Sequence, residues 1–213
     1  MYHSIGLPDQ SLSVAPSEFQ TEVAWLHRAG FHAVTLQRWW DSWHGGSALP
    51  ARPVVISLDD GFANWYTNAL PILRAYRWQA DIELIAGRYG TSDVTPHTLS
   101  ALVDRYGWEL DSHTMTHPHL AEVSSRELRR EVAGSRRFFQ RLGYQVNFFC
   151  YPFGQYDGRV VAAVKAAGYL AATTVIPGVA SSADNRYLLP RISVPGGLGV
   201  AGLKAKFRRF GLL

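Results

Sequence analysis

The sequence predicts one α/β domain built on a parallel sheet, and two observations lead to that prediction. Short apolar runs typical of buried strands alternate along the chain with segments whose apolar residues follow helical spacing, which is the pattern of βα units. The chain has 213 residues, 47% of them hydrophobic and 18% charged, and no repeat, low-complexity tract or linker divides it. We therefore expect residues 1–213 to form a single domain with a substantial core.

Helices are predicted from apolar spacing and from the residues at their ends. Residues 17–30 and 158–168 carry apolar side chains at helical spacing. Residues 124–143 give the clearest pattern, because Ser124 and Glu127 form a capping box at its start. Each of these segments ends at a glycine, a common helix stop.

The predicted strands are the apolar runs that separate these helices. Polar clusters follow three of the strands, at residues 59–61, 111–117 and 151–157. In parallel β/α architectures the carboxyl ends of the strands lie together and active sites form there, so we expect these clusters to converge. The strand runs are residues 32–36, 53–61, 80–87, 107–114, 146–154 and 169–175.

Asp59 and Asp60 end one of these strands, in the sequence SLDDG. Two adjacent carboxylates at the end of an apolar run are costly unless a cation neutralises them. Gly61 permits a turn there, so the two side chains can approach one site in different roles. An ordinary turn or helix cap is the alternative interpretation of Asp-Asp-Gly.

The sequence HTMTH offers a candidate metal site. His113 and His117 stand at i and i+4, so on a helical turn their imidazoles share a face. Two imidazoles and one carboxylate leave coordination positions open, which is typical of catalytic metal sites. His119 has the wrong spacing for that face and is the less favoured ligand. A surface histidine pair is the alternative, and the presence of Asp59 and Asp60 argues against it.

The third cluster, CYPFGQYD, places a Pro-aromatic-Gly turn after a strand. Such a turn can present a backbone N–H, so the N–H of Phe153 is a candidate donor to an oxyanion. A structural turn packed by aromatic side chains is the alternative interpretation.

The order SLDDG, SHTMTH and CYPFG resembles that of the NodB-homology polysaccharide deacetylases, carbohydrate esterase family four. MYHSIG, NALPILRAY and LPRISV also resemble the family's framework, so the likeness covers nearly the whole chain. The opening Tyr-His is similar to that of the subgroup of poly-N-acetylglucosamine N-deacetylases. The resemblance implies a distorted (β/α)7-type barrel and hydrolysis of the acetamide of an N-acetylated sugar, in a glycan or a lipid-linked saccharide, to free amine and acetate.

Carried over by motif, the resemblance implies that Asp60, His113 and His117 bind a divalent metal, usually zinc in this family. Asp59 would act as general base on a water whose pKa the metal lowers. The Phe153 N–H would hold the oxyanion.

Aromatic and loop residues near these motifs are candidates for binding the glycan. Trp65, like other tryptophans of the chain, could stack on sugar rings, although tryptophan is more often a core residue. Tyr151 and Pro152 belong to the loop of the third motif, and we expect them to contact substrate as well.

The chain departs from the family pattern in two places. Cys150 stands where the common third motif has an arginine, and Arg191 is a candidate to supply the missing positive charge, with a peripheral ion pair as the alternative. The family's last motif provides a late histidine as general acid, but no histidine follows His119 here. In the subgroup an early histidine is taken to replace it, so His3 is the candidate acid, with a core histidine as the alternative. Residues 1–5 are accordingly predicted to form a buried strand.

Asp81 and Glu83 share one face of a predicted strand that is normally apolar in the family. Either that face meets solvent, or the carboxylates are paired. Neither residue is assigned a function.

Charge and composition restrict the partners and the compartment. The net charge is +4, and no stacking–basic pattern recurs along the chain, so we expect no nucleic-acid partner. The start lacks a secretory signal, and no run approaches the roughly 20 apolar residues of a membrane span. This predicts a cytoplasmic protein, or a secreted or periplasmic one if a leader has been removed.

The tail at about residues 203–213, LKAKFRRFGLL, is basic and amphipathic. It could make a peripheral contact with an anionic membrane surface. The more ordinary interpretation is a last helix that packs on the domain with its charges in solvent.

Two other functions stay open at this point. One is hydrolysis of a different C–N bond on the same fold, although relatives of that kind often lack a complete metal set. The other is a glycan-binding protein without catalysis, although binding alone would not need the base Asp59.

Overall fold

The protein is described here by a computed structural model covering residues 1–6 and 11–213. Its strands are β1 (His32–Ala33), β2 (Pro53–Val54), β3 (Ser57–Asp60), β4 (Asp81–Leu84), β5 (Glu109–Ser112), β6 (Phe148–Cys150), β7 (Ala171–Pro177) and β8 (Leu189–Arg191). Strands β3 to β8 form one parallel six-stranded sheet in chain order, and β1 pairs with β2 separately. The sheet curls into a half-barrel, so the predicted α/β fold of distorted-barrel type is confirmed.

Helices pack around this sheet, several of them continued by π-helical turns. The capping residue predicted at Ser124 is confirmed, because its side chain accepts the N–H of Glu127. A π-helical stretch, Arg130–Gly134, interrupts the long helix that the sequence predicted after it. The helices are α1 (Pro16–Arg28), α2 (Leu36–Trp43), α3 (Leu70–Arg74), α4 (Pro96–Ser100), α5 (Ser125–Arg129), α6 (Ser135–Arg141), α7 (Gly158–Ala166) and α8 (Gly199–Arg209).

Residues 1–5 bridge the gap between the edge strands β3 and β8. Tyr2 donates its N–H to the backbone of β3 at 2.8 Å and accepts an N–H from it at 2.9 Å. On the other side, the Val194 N–H donates to the Met1 carbonyl at 3.0 Å, just past the end of β8. The segment therefore closes the barrel by hydrogen bonding to the chain on both sides of the gap.

The prediction of a buried strand over residues 1–5 is wrong in one respect, because only isolated bridges form there. The next backbone groups bind side chains instead of a neighbouring strand. Trp65 donates its indole Nε1–H to the His3 carbonyl at 2.8 Å, and the Ile5 N–H donates to Asn64 Oδ1 at 3.1 Å. Most of the segment is buried, as expected.

Helix α2 lies across the amino ends of β4 and β5, at the end of the barrel opposite to the polar strand ends. Its Leu36 and Gln37 N–H groups donate to the carboxylates of Asp81 and Glu109, the first residues of those strands. The α2 tryptophans therefore lie far from any site at the carboxyl ends of the strands. Trp39 and Trp40 are buried, whereas Trp43 is 38% exposed and packs on Trp39 at 4.0 Å between ring centroids.

Helix α8 packs its apolar side on α1. Leu203 and Phe207 are buried, and the Phe207 ring lies 5.4 Å from Trp25 and 5.1 Å from Phe31. The apolar face on which a membrane contact would depend is thus occupied, and that prediction is not supported. No helix in the described residues is both long and apolar enough to cross a bilayer.

Candidate active site

The three polar clusters predicted from the sequence meet at the carboxyl ends of β3, β5 and β6. His113, just after β5, lies 3.5 Å from the Asp60 carboxylate at the end of β3. Its Nδ1 donates to the carbonyl of Cys150, the last residue of β6, at 2.9 Å. The predicted convergence is therefore confirmed.

Asp60, His113 and His117 bring three ligand-type atoms together. The Nε2 atoms of the two histidines are 3.1 Å apart, and each lies 3.5 Å from Asp60 Oδ1. Because Nδ1 of His113 donates to a carbonyl, Nε2 is the atom that faces the other two, and it offers a lone pair when the ring is neutral. Burial would lower the pKa of His113, but the neighbouring Cys150, Asp60 and Asp59 raise it well above its ordinary value, so a metal ion would bind there in exchange for that proton. Burial, and next the neighbouring His113, lower the pKa of His117 to about 4, which keeps that ring neutral and able to ligate.

The spacing of these three atoms fits a tetrahedral metal ion. Ligands held about 2.0–2.1 Å from zinc in tetrahedral geometry lie about 3.3–3.4 Å from one another. The three observed separations, from 3.1 to 3.5 Å, bracket that value. One carboxylate and two imidazoles also suit zinc chemically, and they leave a coordination position for water or substrate.

The two histidines converge through a turn, whereas the sequence analysis placed them on a helical turn. Thr114 and His117 have φ angles of 70° and 63°, and the Thr114 hydroxyl accepts the His117 N–H at 2.9 Å. Asp60 and Phe153 are also left-handed, with φ of 85° and 56°. Such conformations cost of the order of 1–3 kcal/mol each and concentrate at functional sites, where the surrounding structure holds them in place.

Glu131, which is not among the residues predicted from the sequence, holds this turn in place. Its buried carboxylate accepts the N–H of Met115 at 3.0 Å, and the N–H and hydroxyl of Thr116 at 2.8 and 3.0 Å. Glu131 lies in the π-helical stretch between α5 and α6. No sequence signal marks it, because an acid in an amphipathic helix normally faces solvent.

Asp59 and Arg191 form a buried bidentate ion pair. The guanidinium donates to Asp59 Oδ1 from Nη1 and to Oδ2 from Nη2, each at 2.8 Å. Burial alone would raise the pKa of Asp59, but the charge and hydrogen bonds of Arg191 hold it well below its usual range. The Cys150 thiol lies 3.1 Å from Arg191 Nη2, so Arg191, the last residue of β8, places its guanidinium beside both Cys150 and Asp59. Arg191 therefore forms a buried ion pair with Asp59, and not the peripheral ion pair that was its alternative interpretation.

His3 is half-buried beside this pair. Burial lowers its pKa, and the negative charges of Asp59 and Asp60 act in the opposite direction, so the imidazole lies within electrostatic reach of both carboxylates. The hydrogen bond from Trp65 to the His3 carbonyl fixes the backbone here. The barrel closure described above is therefore what brings a residue from the start of the chain into the site.

Phe153 presents both its backbone and its ring to the site. Its N–H meets no hydrogen-bond acceptor in the described part of the chain, as an oxyanion donor requires. The ring is 49% exposed, lies 4.5 Å from the His117 ring and stacks on His119 at 4.2 Å. His119 is exposed and bonded to Gln155, outside the triad of ligand atoms, as the sequence analysis expected.

The residues predicted to bind substrate are buried, which corrects that prediction. Trp65 and Tyr151 have no exposed surface, and Pro152 is buried too. Trp65 supports the backbone of His3 from below, and Tyr151 packs between Phe149 and Tyr156. Their aromatic faces are therefore closed to a sugar, and the exposed aromatic ring beside the site is that of Phe153.

Comparisons with known proteins identify relatives of this chain. The family model "Polysaccharide deacetylase" matches residues 46–172. YxkH of Bacillus subtilis (strain 168), also assigned to the polysaccharide deacetylases, is 29% identical over 199 residues, covering 93% of this chain and 71% of that protein. The poly-beta-1,6-N-acetyl-D-glucosamine N-deacetylase of Staphylococcus aureus (strain MRSA252) is 22% identical over 200 residues, covering 87% of this chain and 69% of that protein.

Solved structures show the same fold. The Streptococcus pyogenes deacetylase PplD in complex with acetate superimposes with a TM-score of 0.88 at 22% identity, covering 97% of this chain and 95% of that one. IcaB from Ammonifex degensii gives a TM-score of 0.84 at 21% identity, covering 96% and 94%. With the family model matching more than half of its residues, this chain belongs to the polysaccharide deacetylase family, whose members are hydrolases of carbohydrate amides.

Proposed function

We propose that this protein is a metal-dependent N-deacetylase that hydrolyses the acetamide of an N-acetylglucosamine-type glycan to free amine and acetate. The observation that carries the proposal is the convergence of Asp60, His113 and His117 beside the Asp59–Arg191 pair. A carboxylate that is both buried and strongly ionised next to a metal-ligand triad is suited to remove a proton from an attacking water.

Asp60, His113 and His117 would hold the metal, with zinc as the expected ion. When bound, a divalent cation at this position lowers the pKa of water and polarises a carbonyl oxygen. The chain's own contribution is a rigid ligand set, because the Glu131 carboxylate fixes the turn that carries His117.

Asp59 is the proposed general base, and Arg191 its positioning residue. Two parallel hydrogen bonds of 2.8 Å fix the carboxylate plane, so the oxygen lone pairs keep one direction throughout the reaction. The same pair keeps Asp59 ionised at neutral pH, in the form that can accept a proton.

The Phe153 N–H is the proposed oxyanion donor, and His3 the proposed general acid. A preorganised donor that meets no acceptor of its own can stabilise charge that develops on the acetamide oxygen. An amine leaves poorly unless it is protonated, so an acid must deliver a proton to it. His3 sits near Asp59, and the proton taken from water by the base balances the proton given to the amine.

The proposed substrate class rests on the relatives. The S. aureus and Escherichia coli relatives are named for poly-beta-1,6-N-acetyl-D-glucosamine. The half-exposed Phe153 ring beside the ligand triad offers an apolar face for a sugar ring, which supports a saccharide substrate.

The test is to measure bound metal and acetate release from N-acetylglucosamine oligomers for the wild type, three active-site variants and one control variant. Asp59→Asn should retain metal and lose turnover, and His113→Ala should lose both. His3→Ala should retain metal and lose about 100-fold or more in kcat, the usual contribution of a general acid. His32→Ala, which removes an exposed imidazole at β1, is the matched control and should behave as wild type.

Wild-type protein that holds metal but releases no acetate from any N-acetyl sugar would contradict the deacetylase proposal. Turnover on a different amide with the same variant pattern would point to another C–N hydrolase. Wild-type kcat in His3→Ala would remove His3 from the reaction and leave the remaining assignments intact.

A further inference from the structure

The lower half of the barrel interior contains a second group of acidic side chains that the proposed reaction does not use. Asp81, Glu109 and Asp111, which we call the floor cluster, lie on β4 and β5 below the active site. One potential ligand oxygen from each lies within 4.8 Å of those of the other two. Strand register explains this, because Asp81 is paired with Glu109, and Asp111 is two residues further along the same face.

Each carboxylate of the floor cluster is anchored through one oxygen by a backbone donor from a different position. Asp81 Oδ2 accepts the Leu36 N–H at 3.0 Å, and Glu109 Oε2 accepts the Gln37 N–H at 2.8 Å. Asp111 Oδ1 accepts the Phe148 N–H at 3.2 Å. These contacts fix the orientation of the three side chains.

The oxygens on the other side of two of these carboxylates have no partner. Asp81 Oδ1 and Asp111 Oδ2 are fully buried and accept no hydrogen bond from any described residue. A buried, unpaired carboxylate oxygen carries a desolvation penalty of the order of 1–3 kcal/mol or more, and native proteins rarely leave one unsatisfied. Burial, and next the neighbouring carboxylates, raise the pKa of Asp81 and Asp111 well above their usual values, so without a cation these groups hold protons. A cation bound between the two unpartnered oxygens would displace those protons and satisfy both atoms.

Protein cations do not satisfy them. The guanidinium of Arg191 faces Glu83, at 3.9 Å, and no Lys or Arg forms an ion pair with the floor cluster within residues 1–6 and 11–213. Within residues 1–6 and 11–213, the hydrogen-bond partners of these three carboxylates are uncharged backbone N–H groups and the Thr35 hydroxyl.

We propose that the floor cluster binds a hard divalent cation, calcium in preference to magnesium, at a structural site separate from the active-site metal. Anionic oxygen ligands without nitrogen or sulfur select this class of ion over zinc. Calcium accepts oxygens at about 2.3–2.6 Å, so ligand oxygens on opposite sides of it lie about 4.6–5.2 Å apart, a range that the cluster can span. Glu109 is the one member of the floor cluster that is only partly buried.

The test is equilibrium dialysis of zinc-saturated wild-type protein against radioactive calcium at pH 8, after removal of calcium with a chelator. We expect about one calcium ion per chain. Asp111→Asn and Asp81→Asn should each weaken calcium binding at least about tenfold, because each replaces a charged ligand oxygen with a neutral one. A parallel thermal melt should show calcium raising Tm in the wild type and not in these variants.

Asp60→Asn is the control that separates the two sites. It alters the proposed zinc ligands Asp60, His113 and His117, and it should leave calcium binding unchanged. Circular dichroism of each variant shows whether it has folded, and the wild-type measurement alone is decisive if a variant fails to fold. If the protein binds magnesium and not calcium, the floor cluster is still a site for a hard divalent cation, but the proposed preference for calcium is wrong.

The inference is overturned if the wild type binds neither calcium nor magnesium at millimolar concentrations. Calcium binding that is lost in Asp60→Asn and unchanged in Asp111→Asn would also overturn it. Neither result bears on deacetylation, because the floor cluster takes no part in the proposed reaction.

Discussion

Both ends of the barrel interior hold buried carboxylates, but these are neutralised in opposite ways. At the upper end Arg191 pairs with Asp59, and two imidazoles face Asp60. At the lower end Asp81 and Glu109 meet mainly backbone N–H groups. The carboxylates at the active-site end therefore have cationic or imidazole partners, whereas those at the opposite end have uncharged donors, although both groups are largely buried.

The pKa values follow this difference. At the upper end Arg191 outweighs burial and lowers the pKa of Asp59 below its usual range. At the lower end burial dominates, raising the pKa of Glu109 to about 7 and that of Asp81 well above its usual value. Burial alone therefore does not decide whether a carboxylate is ionised, because two short hydrogen bonds from Arg191 outweigh it at Asp59. A more distant cation is not enough: Glu83 lies 3.9 Å from the same guanidinium, and burial still raises its pKa to about 7.

The largest effect is expected from removing the upper cation with Arg191→Ala. This leaves Asp59 buried and unpaired, so the free energy of unfolding at pH 8 should fall by about 3–5 kcal/mol and kcat/KM should drop steeply. A carboxylate with a lowered pKa in the folded state stabilises above its unfolded pKa and loses that effect as pH falls. The stability difference should therefore shrink below about pH 4.

Urea unfolding across pH and acetate release measure these effects. Arg191→Lys is the matched control, because it keeps the charge without the planar fork and should lose less. Unchanged stability and kcat/KM in Arg191→Ala would mean that the ion pair does not maintain the base.

An intermediate effect is expected at the turn that carries the histidines. Glu131→Gln removes one of the two acceptor oxygens that hold Met115 and Thr116, so the affinity for zinc should fall by about 10- to 100-fold. A competition titration with a zinc-binding dye measures it. The exposed neighbour Glu127→Gln is the control, and equal affinity in the two variants would show that the turn holds without Glu131.

The smallest effect is expected at the lower end, in Glu109→Gln with divalent cations removed by a chelator. Because the pKa of Glu109 is raised from 4.5 to about 7 by burial, the folded state binds more protons than the unfolded state in that window. Wild-type stability should therefore decrease as pH rises from about 4.5 to 7, and the variant should show a flatter profile. At pH 8 the variant should be more stable by about 1 kcal/mol, an order-of-magnitude value.

Urea unfolding at several pH values measures this change, with the exposed Glu122→Gln as control. A variant that is less stable than the wild type at every pH, with an unchanged slope, would show that the lower carboxylates are compensated after all. The two ends of the barrel would then not differ as described.

Much of the site could be predicted because its ligands follow strand ends. Asp59 and Asp60 end β3, and the His113–His117 pair begins directly after β5, so the parallel strands bring these positions together. The orientation of side chains could not be predicted in the same way. Trp65 supports the His3 backbone from the core, although its sequence context gave no sign of this contact.

Glu131 and the floor cluster show why the rest could not be predicted. Glu131 reaches a turn fifteen and sixteen residues away in the chain, and its helix pattern is that of an ordinary solvated acid. For Asp81 and Glu83 the sequence left solvent exposure and pairing open. Both are fully buried, and Glu83 has one oxygen near Thr173 and Arg191.

The α/β class and the candidate metal ligands could be predicted from the amino-acid sequence, because apolar periodicity and strand-end chemistry are local properties. Two other features depend on the folded chain: residues 1–5 close the barrel beside Asp59, and Arg191 from β8 faces Cys150 on β6. The burial of Asp81 and Asp111, and their backbone hydrogen-bond donors, also depend on the folded chain. Contacts across the barrel depend on the curl of the sheet, which accumulates from the twist between each pair of neighbouring strands. No single residue in the sequence therefore indicates which side chains will meet.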